Sequence, residues 1–289
     1  MKKGMLELLM IGACFWEPLQ AQELKDVPIA EVLKVAEQGD ANVQFYLGWK
    51  YDKGEGVAQD DKQAVAWYSK AAEQGLADAQ LRLGLKYDDG EGVATDEKQA
   101  VAWYRKAAEQ GDADAQLMLG LKYEYGEGVA QDHKQAVAWY RKAAEQGNAM
   151  AQINLSVMYG NGRGVAQDHK QAVAWMRKAA EQGFADAQFR LGATYADGQD
   201  HKQAVAWMRK AAEQGHAKAQ FYLSLMYSLG HGVAQDDKLA YVWSSVAAAN
   251  GLAEAVKKRD TYAKRLLPAA LAEAQALAGQ YFEQYQPKQ

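Results

Sequence analysis

An internal repeat with a spacing of 36 residues constrains this chain more than any other feature. The loop in YDKGEGVAQD (51–60) returns four more times in related form, and a tryptophan recurs in step with it. The repeated tryptophans are Trp67, Trp103, Trp139, Trp175, Trp207 and Trp243, and only the step before Trp207 is shorter, at 32 residues. Because a unit this short cannot bury its apolar face alone, the units must stack into an array.

Each unit has the residue spacing of two amphipathic helices. In ADAQLRLGLKYD (77–88), Ala79, Leu83 and Tyr87 fall on one helix face, and EKQAVAWYRKAAEQ (97–110) shows the same spacing of apolar residues. Asp96 is the predicted N-cap of the second helix, and Gln99 would complete a capping box. Alanine, leucine, glutamate, lysine and glutamine dominate the composition, and only four prolines occur. We therefore expect an all-α chain.

The Gly-x-Gly-Val loop is predicted to join helix A to helix B of each unit. Glycine-rich loops before helices also bind phosphates, but no Gly-Lys-Ser/Thr follows here and no strand precedes. A small residue follows the helix-A leucine in every unit (Gly48, Gly84, Gly120, Ser156, Gly192 and Ser224). Since glycine weakens a helix, we expect a neighbouring backbone or the tryptophan ring to approach closely there.

The combined pattern resembles the Sel1-like repeat family, which belongs to the tetratricopeptide-like α-solenoids. It consists of Ala-x-x-Gln-x-x-Leu-Gly-x-x-Tyr, then Gly-x-Gly-Val-x-x-Asp, then Ala-x-x-Trp-x-x-Lys-Ala-Ala-Glu-Gln-Gly. It covers 40–251 as six repeats of about 40–75, 76–111, 112–147, 148–183, 184–215 and 216–251. Residues 22–39 are expected to form an N-terminal capping helix and 252–289 a C-terminal helical cap.

The resemblance implies a right-handed superhelix whose concave side binds other proteins. Bacterial members are commonly exported and act as envelope adaptors, signalling regulators or factors that contact host cells. Cysteine-rich relatives have been linked to β-lactam binding or hydrolysis, but the repeats of this chain contain no cysteine. The fifth repeat lacks the usual Gly-x-Val portion of its loop, so a tight joint is expected between its two helices.

The N-terminal residues indicate export. Lys2 and Lys3 precede an apolar run, and Leu19-Gln20-Ala21 is typical of a cleavage site, so we expect a signal peptide over 1–21 and a periplasmic or secreted protein. The only cysteine, Cys14, lies in a stretch that resembles a bacterial lipobox, and a lipid anchor is the alternative. No stretch is long enough for a membrane span. A formal net charge of −4 argues against nucleic-acid binding.

No catalytic, metal or cofactor site is predicted. His133, His169 and His201 recur at the start of helix B, and helices of neighbouring units about 10 Å apart keep them from sharing one metal. The repeated tryptophans and tyrosines are interpreted as packing residues. No nucleophile with a base and an orienting group emerges, so an enzyme is not expected.

The candidate partner-binding surface consists of helix-A positions that vary between units. These positions share one face because residues i and i+4 are neighbours. They are Tyr46, Lys50, Arg82, Lys86, Met118, Lys122, Asn154, Met158, Arg190, Tyr222 and Met226. The stripe is basic in the first three units and more apolar later, so the expected partner is a protein or peptide with an acidic part and an apolar part.

The function expected from these observations is that of a non-enzymatic interaction scaffold in the bacterial cell envelope. A secreted factor that binds a host protein is one alternative. A cell-wall-binding protein or a hydrolase is another.

Overall fold

A computed structural model describes residues 27–286 of the chain. Within this range every regular element is a helix, which confirms the all-α fold class predicted from the sequence. The predicted signal peptide, its cleavage site and Cys14 lie outside the described residues.

The repeats group into two compact structural units, each larger than one repeat, which we call unit 1 (Met1–Gln146) and unit 2 (Gly147–Gln289). The two are described separately. The described helices of unit 1 are α1 (Ile29–Glu37), α2 (Ala41–Lys53), α3 (Asp61–Glu73), α4 (Ala77–Asp89), α5 (Glu97–Glu109), α6 (Ala113–Tyr125) and α7 (His133–Glu145). Those of unit 2 are α8 (Ala149–Asn161), α9 (His169–Glu181), α10 (Ala185–Asp197), α11 (His201–Glu213), α12 (Ala217–Leu229), α13 (Asp237–Ala249), α14 (Ala253–Ala263) and α15 (Pro268–Gln284).

Both units are built from stacked helix pairs. In unit 1, helix A packs on helix B within each repeat (α2 on α3, α4 on α5, α6 on α7), and α3 and α5 also pack on the helix A that follows. Unit 2 repeats this arrangement from α8 to α13, where α14 and α15 both pack against α13. Helices α3, α5, α9 and α11 therefore each contact two helices A within their unit, which buries the apolar face that one repeat could not bury alone.

An aspartate caps helix B of every repeat, as predicted. The Asp96 carboxylate accepts hydrogen bonds from the backbone N–H groups of Lys98 and Gln99. The reciprocal half of the predicted capping box is replaced, because the Asp96 N–H donates to the Tyr87 carbonyl oxygen at 2.9 Å. The helix-A tyrosine thus closes the loop through its backbone. This explains why Asp236 caps α13 although Leu239 stands in place of the glutamine.

The glycines of the Gly-x-Gly-Val loop have the left-handed backbone that the joint requires. Gly90 and Gly92 have φ values of +74° and +73°. The second glycine also packs on the preceding repeat, since a Cβ at Gly92 would lie 2.2 Å from the carbonyl oxygen of Asp61. In the shortened joint of repeat five, Gln199 takes the left-handed role with φ +62°. A non-glycine residue there costs about 1–2 kcal/mol.

The small residue of helix A makes room for a side chain of helix B. A Cβ at Gly84 would lie 2.6 Å from Cε1 of Tyr104, and Gly48 and Gly120 face the equivalent tyrosines in the same way. The approaching ring is therefore this tyrosine and not the tryptophan. In the fourth repeat, where Met176 replaces the tyrosine, the small residue is Ser156, whose hydroxyl donates to the Ala172 carbonyl oxygen, and in the fifth repeat Gly192 faces Met208.

The repeated tryptophans pack between helices, as interpreted from the sequence, and a lysine covers most of them. Lys106 Nζ lies 3.7 Å from the ring centroid of Trp103, and the other repeats up to Trp207 show the same pair. Trp243 differs, because Val246 stands at the lysine position and Tyr285 stacks on the indole instead. No helix in 27–286 is long and apolar enough to cross a membrane.

Candidate functional site

The lysines of the predicted stripe are buried against carboxylates of unit 1. Lys86 and Lys122 are only 6% and 5% exposed. The Lys86 ammonium pairs with Asp52, with Asp61 at 2.8 Å and with Glu91 at 2.6 Å. Two of these carboxylates belong to the preceding repeat, so Lys86 ties that repeat to its own loop.

Lys122 repeats this arrangement one repeat later. Its ammonium lies 2.5 Å from Asp88 and 2.8 Å from Glu127. Tyr104 donates its hydroxyl proton to the other oxygen of Asp88 at 3.2 Å. Both lysines therefore act inside unit 1, where they connect the loops of successive repeats.

The charges around Lys86 compensate one another. Burial acts to lower the pKa of Lys86, but its three carboxylate partners outweigh burial and hold that pKa above the ordinary lysine value. Burial likewise acts to raise the pKa of Asp52, and hydrogen bonds from Lys86 and Lys53 reverse it, so the pKa of Asp52 lies below its usual range. Asp52, Asp61 and Glu91 also lie close enough for a metal-binding cluster, but the Lys86 ammonium pairs with all three.

The structure therefore does not present the predicted residues as one exposed basic stripe. Lys50 is also buried, with its ammonium 3.4 Å from the Glu55 carbonyl oxygen and over the Tyr46 ring. Buried apolar members are Tyr46, Met158 and Met226. The members that remain at least partly accessible are Arg82, Met118, Asn154, Arg190 and Tyr222. Partner binding by the eleven residues stays a prediction, whereas the argument from an exposed basic stripe is wrong because Lys50, Lys86 and Lys122 are buried.

A cavity of about 340 Å³ lies on the A helices of unit 1, and we call it the unit 1 pocket. It has an aromatic wall from α2 and carboxylates near the first turns of α4 and α6. Its lining residues are Phe45, Tyr46, Trp49, Asp78, Leu81, Arg82, Asp112 and Asp114. The Tyr46 and Trp49 rings stack with centroids 6.0 Å apart and planes 16° apart, and Tyr46 itself is only 2% exposed.

The electrostatics of the unit 1 pocket are acidic. Three carboxylates face one guanidinium, a formal net charge of −2. Burial raises the pKa of Asp78, and Arg82 offsets it only in part. Burial also raises the pKa of Asp112; its hydrogen bond from Ala115 N–H opposes this shift, and Asp114 and Asp78 reinforce it. Burial therefore opposes the ionisation of two of the three carboxylates that line the pocket.

Unit 2 has a cavity of about 560 Å³ at related helix-A positions, which we call the unit 2 pocket. Asp186, Arg190 and Lys218 line it together with Phe189 and His216. Here the carboxylate is paired, since Arg190 Nε lies 2.6 Å from Asp186. The His216 ring stacks on Phe189 at 4.8 Å, and its Nδ1 accepts from Ala219 N–H as the N-cap of α12. Burial lowers the pKa of His216, with Asp186 acting in the opposite direction.

The histidines at the start of helix B are not equivalent. The His201 ring stacks on His231 at a centroid distance of 4.6 Å, so it is not the solvated side chain expected from the sequence. His169 is exposed, as expected. In the described part of the chain, the geometry that could hold a metal ion by three or more carboxylate, histidine or cysteine ligands is confined to the cluster around Lys86.

A signal for the buried lysines was present in the sequence. Lys50, Lys86 and Lys122 each precede a glutamate by five residues (Glu55, Glu91 and Glu127). Where methionine replaces the lysine, at Met158 and Met226, the fifth residue is Arg163 or His231. This paired change between repeats indicates contact between the two positions, and it identifies the lysines as internal rather than partner-facing.

Stacked helix pairs with a variable helix-A surface define the class of α-helical repeat proteins. The chain belongs to the Sel1 repeat family, because the profile of the Sel1 repeat matches residues 41–76, 77–112, 113–148, 149–184, 185–216 and 217–252. None of the curated proteins matches the chain.

Two solved structures of bacterial proteins are similar to this chain. The chain is 34% identical to a Sel1 repeat protein from Oxalobacter formigenes, with a TM-score of 0.67, and the match covers 79% of this chain and 93% of that one. It is also 34% identical to a protective antigen present in uropathogenic Escherichia coli strains that displays an SLR fold. That match covers 90% of this chain and 72% of the antigen, with a TM-score of 0.41. Sel1 repeat proteins are in general non-catalytic scaffolds for protein interaction.

Proposed function

We propose that this chain is a non-enzymatic scaffold of the bacterial cell envelope and that it binds a partner polypeptide on the A-helix surface of its repeats. The observation that carries the proposal is the contrast between an invariant framework and variable accessible positions. Framework residues such as Gly84 and Asp96 have internal partners. Accessible helix-A positions such as Arg82 and Tyr222 differ from repeat to repeat, which is typical of a surface adapted to one partner.

The unit 1 pocket supports this site. Aromatic residues and arginine are enriched at protein interfaces and often contribute most of the binding energy. Trp49 and Arg82 line a cavity there that is open to solvent. The buried lysines are not part of the proposed surface.

The envelope location rests on the N-terminal sequence of the chain. The lysines, apolar run and Ala21 of the first 21 residues are typical of a secretory signal peptide. Cell fractionation tests the location: the proposal expects the protein in the periplasm or the medium, and retention in the cytoplasm would contradict it.

Photocrosslinking in the native cell tests the binding surface. A benzoylphenylalanine at position 82, on helix A, is compared with the same residue at Ala102, an exposed position of helix B in α5. We expect a discrete crosslinked partner from position 82 and none from position 102. Charge reversal of Lys86 or Lys122 is unsuitable as a test, because it would place a carboxylate among the buried carboxylates and unfold the joint.

Two outcomes of the crosslinking experiment would contradict the proposed binding surface. The proposal fails if position 82 gives no partner in the cell or the medium, or if position 102 captures the same partner with equal yield. Circular dichroism of both variants confirms that the helices are intact.

A further inference from the structure

We propose that the outward face of α14 and of the turn directly after it binds the surface of a bilayer that contains anionic phospholipids. The exposed residues of this face, which we call the α14 basic face, are Lys257, Lys258, Thr261, Lys264 and Arg265. Ala255 and Tyr262, on the opposite side of the helix, are buried. The α14 basic face is a second surface of the chain, and the inference does not depend on the partner-binding surface proposed above.

The first argument is charge. Residues 253–267 contain five basic and two acidic residues, a formal net charge of +3 in a chain whose formal net charge is −4. Asp260 is paired with Arg259. In the part of the chain that the structure describes, the ammonium groups of Lys257, Lys258 and Lys264 form no ion pair, and all three are exposed. The positive charge of this face is therefore available to an external anion.

These three lysines differ from the lysines that stabilise the repeats. Lys86 and Lys122 are buried among carboxylates, and Lys106 lies over the indole of Trp103. The lysines of the α14 basic face have neither kind of partner among the described residues. Stability of the repeats therefore does not account for their presence.

The second argument is a departure from the repeat pattern. Helix α14 begins 36 residues after α12 and packs on α13, as a helix A packs on the preceding helix B. The position of Lys257 is apolar in all six repeats, where its residues are Phe45, Leu81, Leu117, Ile153, Phe189 and Phe221. In the described chain no further helix A packs on α14, so a polar residue of any kind would keep this face soluble. Solubility alone does not require four cations beside the single carboxylate of Glu254.

The third argument is the apolar side chain next to the cations. Leu267 follows Arg265 by two residues and is 77% exposed, more than the other large apolar residues in the described range. Basic residues with an adjacent apolar side chain are typical of segments that lie on anionic membranes, because the cations contact the headgroups while the apolar group enters the boundary of the acyl chains. A polyanion in solution would satisfy the charges and leave Leu267 in water.

Vesicle sedimentation with the full chain tests the inference. Vesicles of phosphatidylcholine are compared with vesicles of an equimolar mixture of phosphatidylcholine and phosphatidylglycerol. Each basic residue near an anionic surface strengthens binding about fivefold, so we expect the mixed vesicles to bind the chain about tenfold or more tightly than the neutral ones. High salt should weaken this binding because it screens exposed charges.

Two triple variants with the same change in net charge locate the site. The first replaces Lys257, Lys258 and Lys264 by glutamine. The control replaces three exposed lysines in the first turn of helix B by glutamine, which are Lys98, Lys134 and Lys170. We expect the α14 variant to bind the mixed vesicles about tenfold or more weakly and the control to bind like the unaltered chain. Both variants keep the same N-terminal segment, so a difference between them reports on α14, and circular dichroism checks that the helices are intact.

A separate variant tests the apolar contact. Leu267→Ser should weaken binding to the mixed vesicles about threefold or more while the dependence on phosphatidylglycerol remains. Unchanged affinity would contradict the insertion of Leu267 into the bilayer.

The inference fails if both kinds of vesicle bind equally, if the α14 variant binds undiminished, or if the two triple variants lose affinity to the same extent. Soluble polyglutamate is the remaining probe. If it binds the chain more tightly than the mixed vesicles and the α14 variant abolishes this, the face recognises an acidic polypeptide and the membrane is wrong. None of these results alters the crosslinking expected from position 82.

Discussion

Unit 1 and unit 2 use the same helix pair but differ at the joint between helices A and B. In unit 1 the joint is charged, with Lys86 and Lys122 buried among carboxylates. In unit 2 the same helix position holds the buried Met158 and Met226. The comparison teaches that the backbone framework accepts either solution, provided that the loop residue and the helix residue change together.

The same contrast extends to the accessible surface. The unit 1 pocket is acidic and aromatic, whereas the unit 2 pocket contains an internally paired carboxylate and two basic side chains. A repeat protein can therefore keep one fold while successive parts of its surface select different partners.

The largest expected effect comes from breaking the charged joint of unit 1. Lys86→Met reproduces the residue of unit 2 but removes the buried cation shared by Asp52, Asp61 and Glu91, and leaves Asp52 with only the exposed Lys53. Loss of one partner of a buried ion pair destabilises a protein by about 3–5 kcal/mol, because the other charge stays buried. Urea unfolding followed by circular dichroism should show a loss of this size in the free energy of unfolding.

The matched control is Met226→Leu in unit 2, a change of similar volume at an apolar joint. It should cost less than about 1.5 kcal/mol. If Lys86→Met were as mild as this control, the buried network would not stabilise unit 1 and the comparison would fail.

A smaller effect is expected from the contact between helix A and the helix-B tyrosine. In Gly84→Ala the added methyl group would lie 2.6 Å from the Tyr104 ring, and overpacking of this kind costs about 1–3 kcal/mol. In unit 2, a Cβ at Gly160 would meet only the Ala172 methyl group at 3.8 Å. Gly160→Ala should therefore stabilise the protein by about 0.5–1 kcal/mol through helix propensity.

Thermal unfolding of the two alanine variants measures this difference. Opposite changes in Tm are expected. A rise in Tm for Gly84→Ala would show that the tyrosine ring moves aside without cost, and the assignment of the small residues to ring packing would then be wrong.

The smallest effect is a difference in pH dependence between the two pockets. Asp112 and His216 occupy the same N-cap position of helix A, and Asn148 shows that asparagine fits there. The pKa of Asp112 is raised, so ionisation of Asp112 costs stability at neutral pH, and that cost disappears as pH falls through the raised pKa. The pKa of His216 is lowered, so the stability from its neutral form is present above pH 6.5 and declines below it.

Asparagine at each position removes its titration. Asp112→Asn should raise Tm at pH 7, with the gain shrinking toward pH 4. His216→Asn should raise Tm by more at pH 5 than at pH 7.5, with each variant value compared to the unaltered chain at the same pH. Parallel pH profiles for the two variants and the unaltered chain would contradict the assignment of opposite electrostatics to the two pockets.

The framework was predictable from the sequence because its causes are local. Asp96 caps the helix that begins one residue later, and Gly90 ends the helix before it. Lys86 was wrongly assigned to the exposed surface because its partners are distant in sequence. Asp52 and Asp61 belong to the preceding repeat, and only the stacking of repeats brings them to Lys86. The unit 1 pocket was also missed for this reason, since its aromatic wall and its carboxylates come from different repeats.

Hydrogen–deuterium exchange of the purified chain, with and without the partner crosslinked from position 82, tests the central claim most directly. The account predicts slower exchange at the first turns of α4 and α6, which carry Asp78 and Asp114, with no change in the exposed residues of α5. Protection confined to α5 and the other B helices would contradict the claim that the partner binds on the A-helix surface of unit 1.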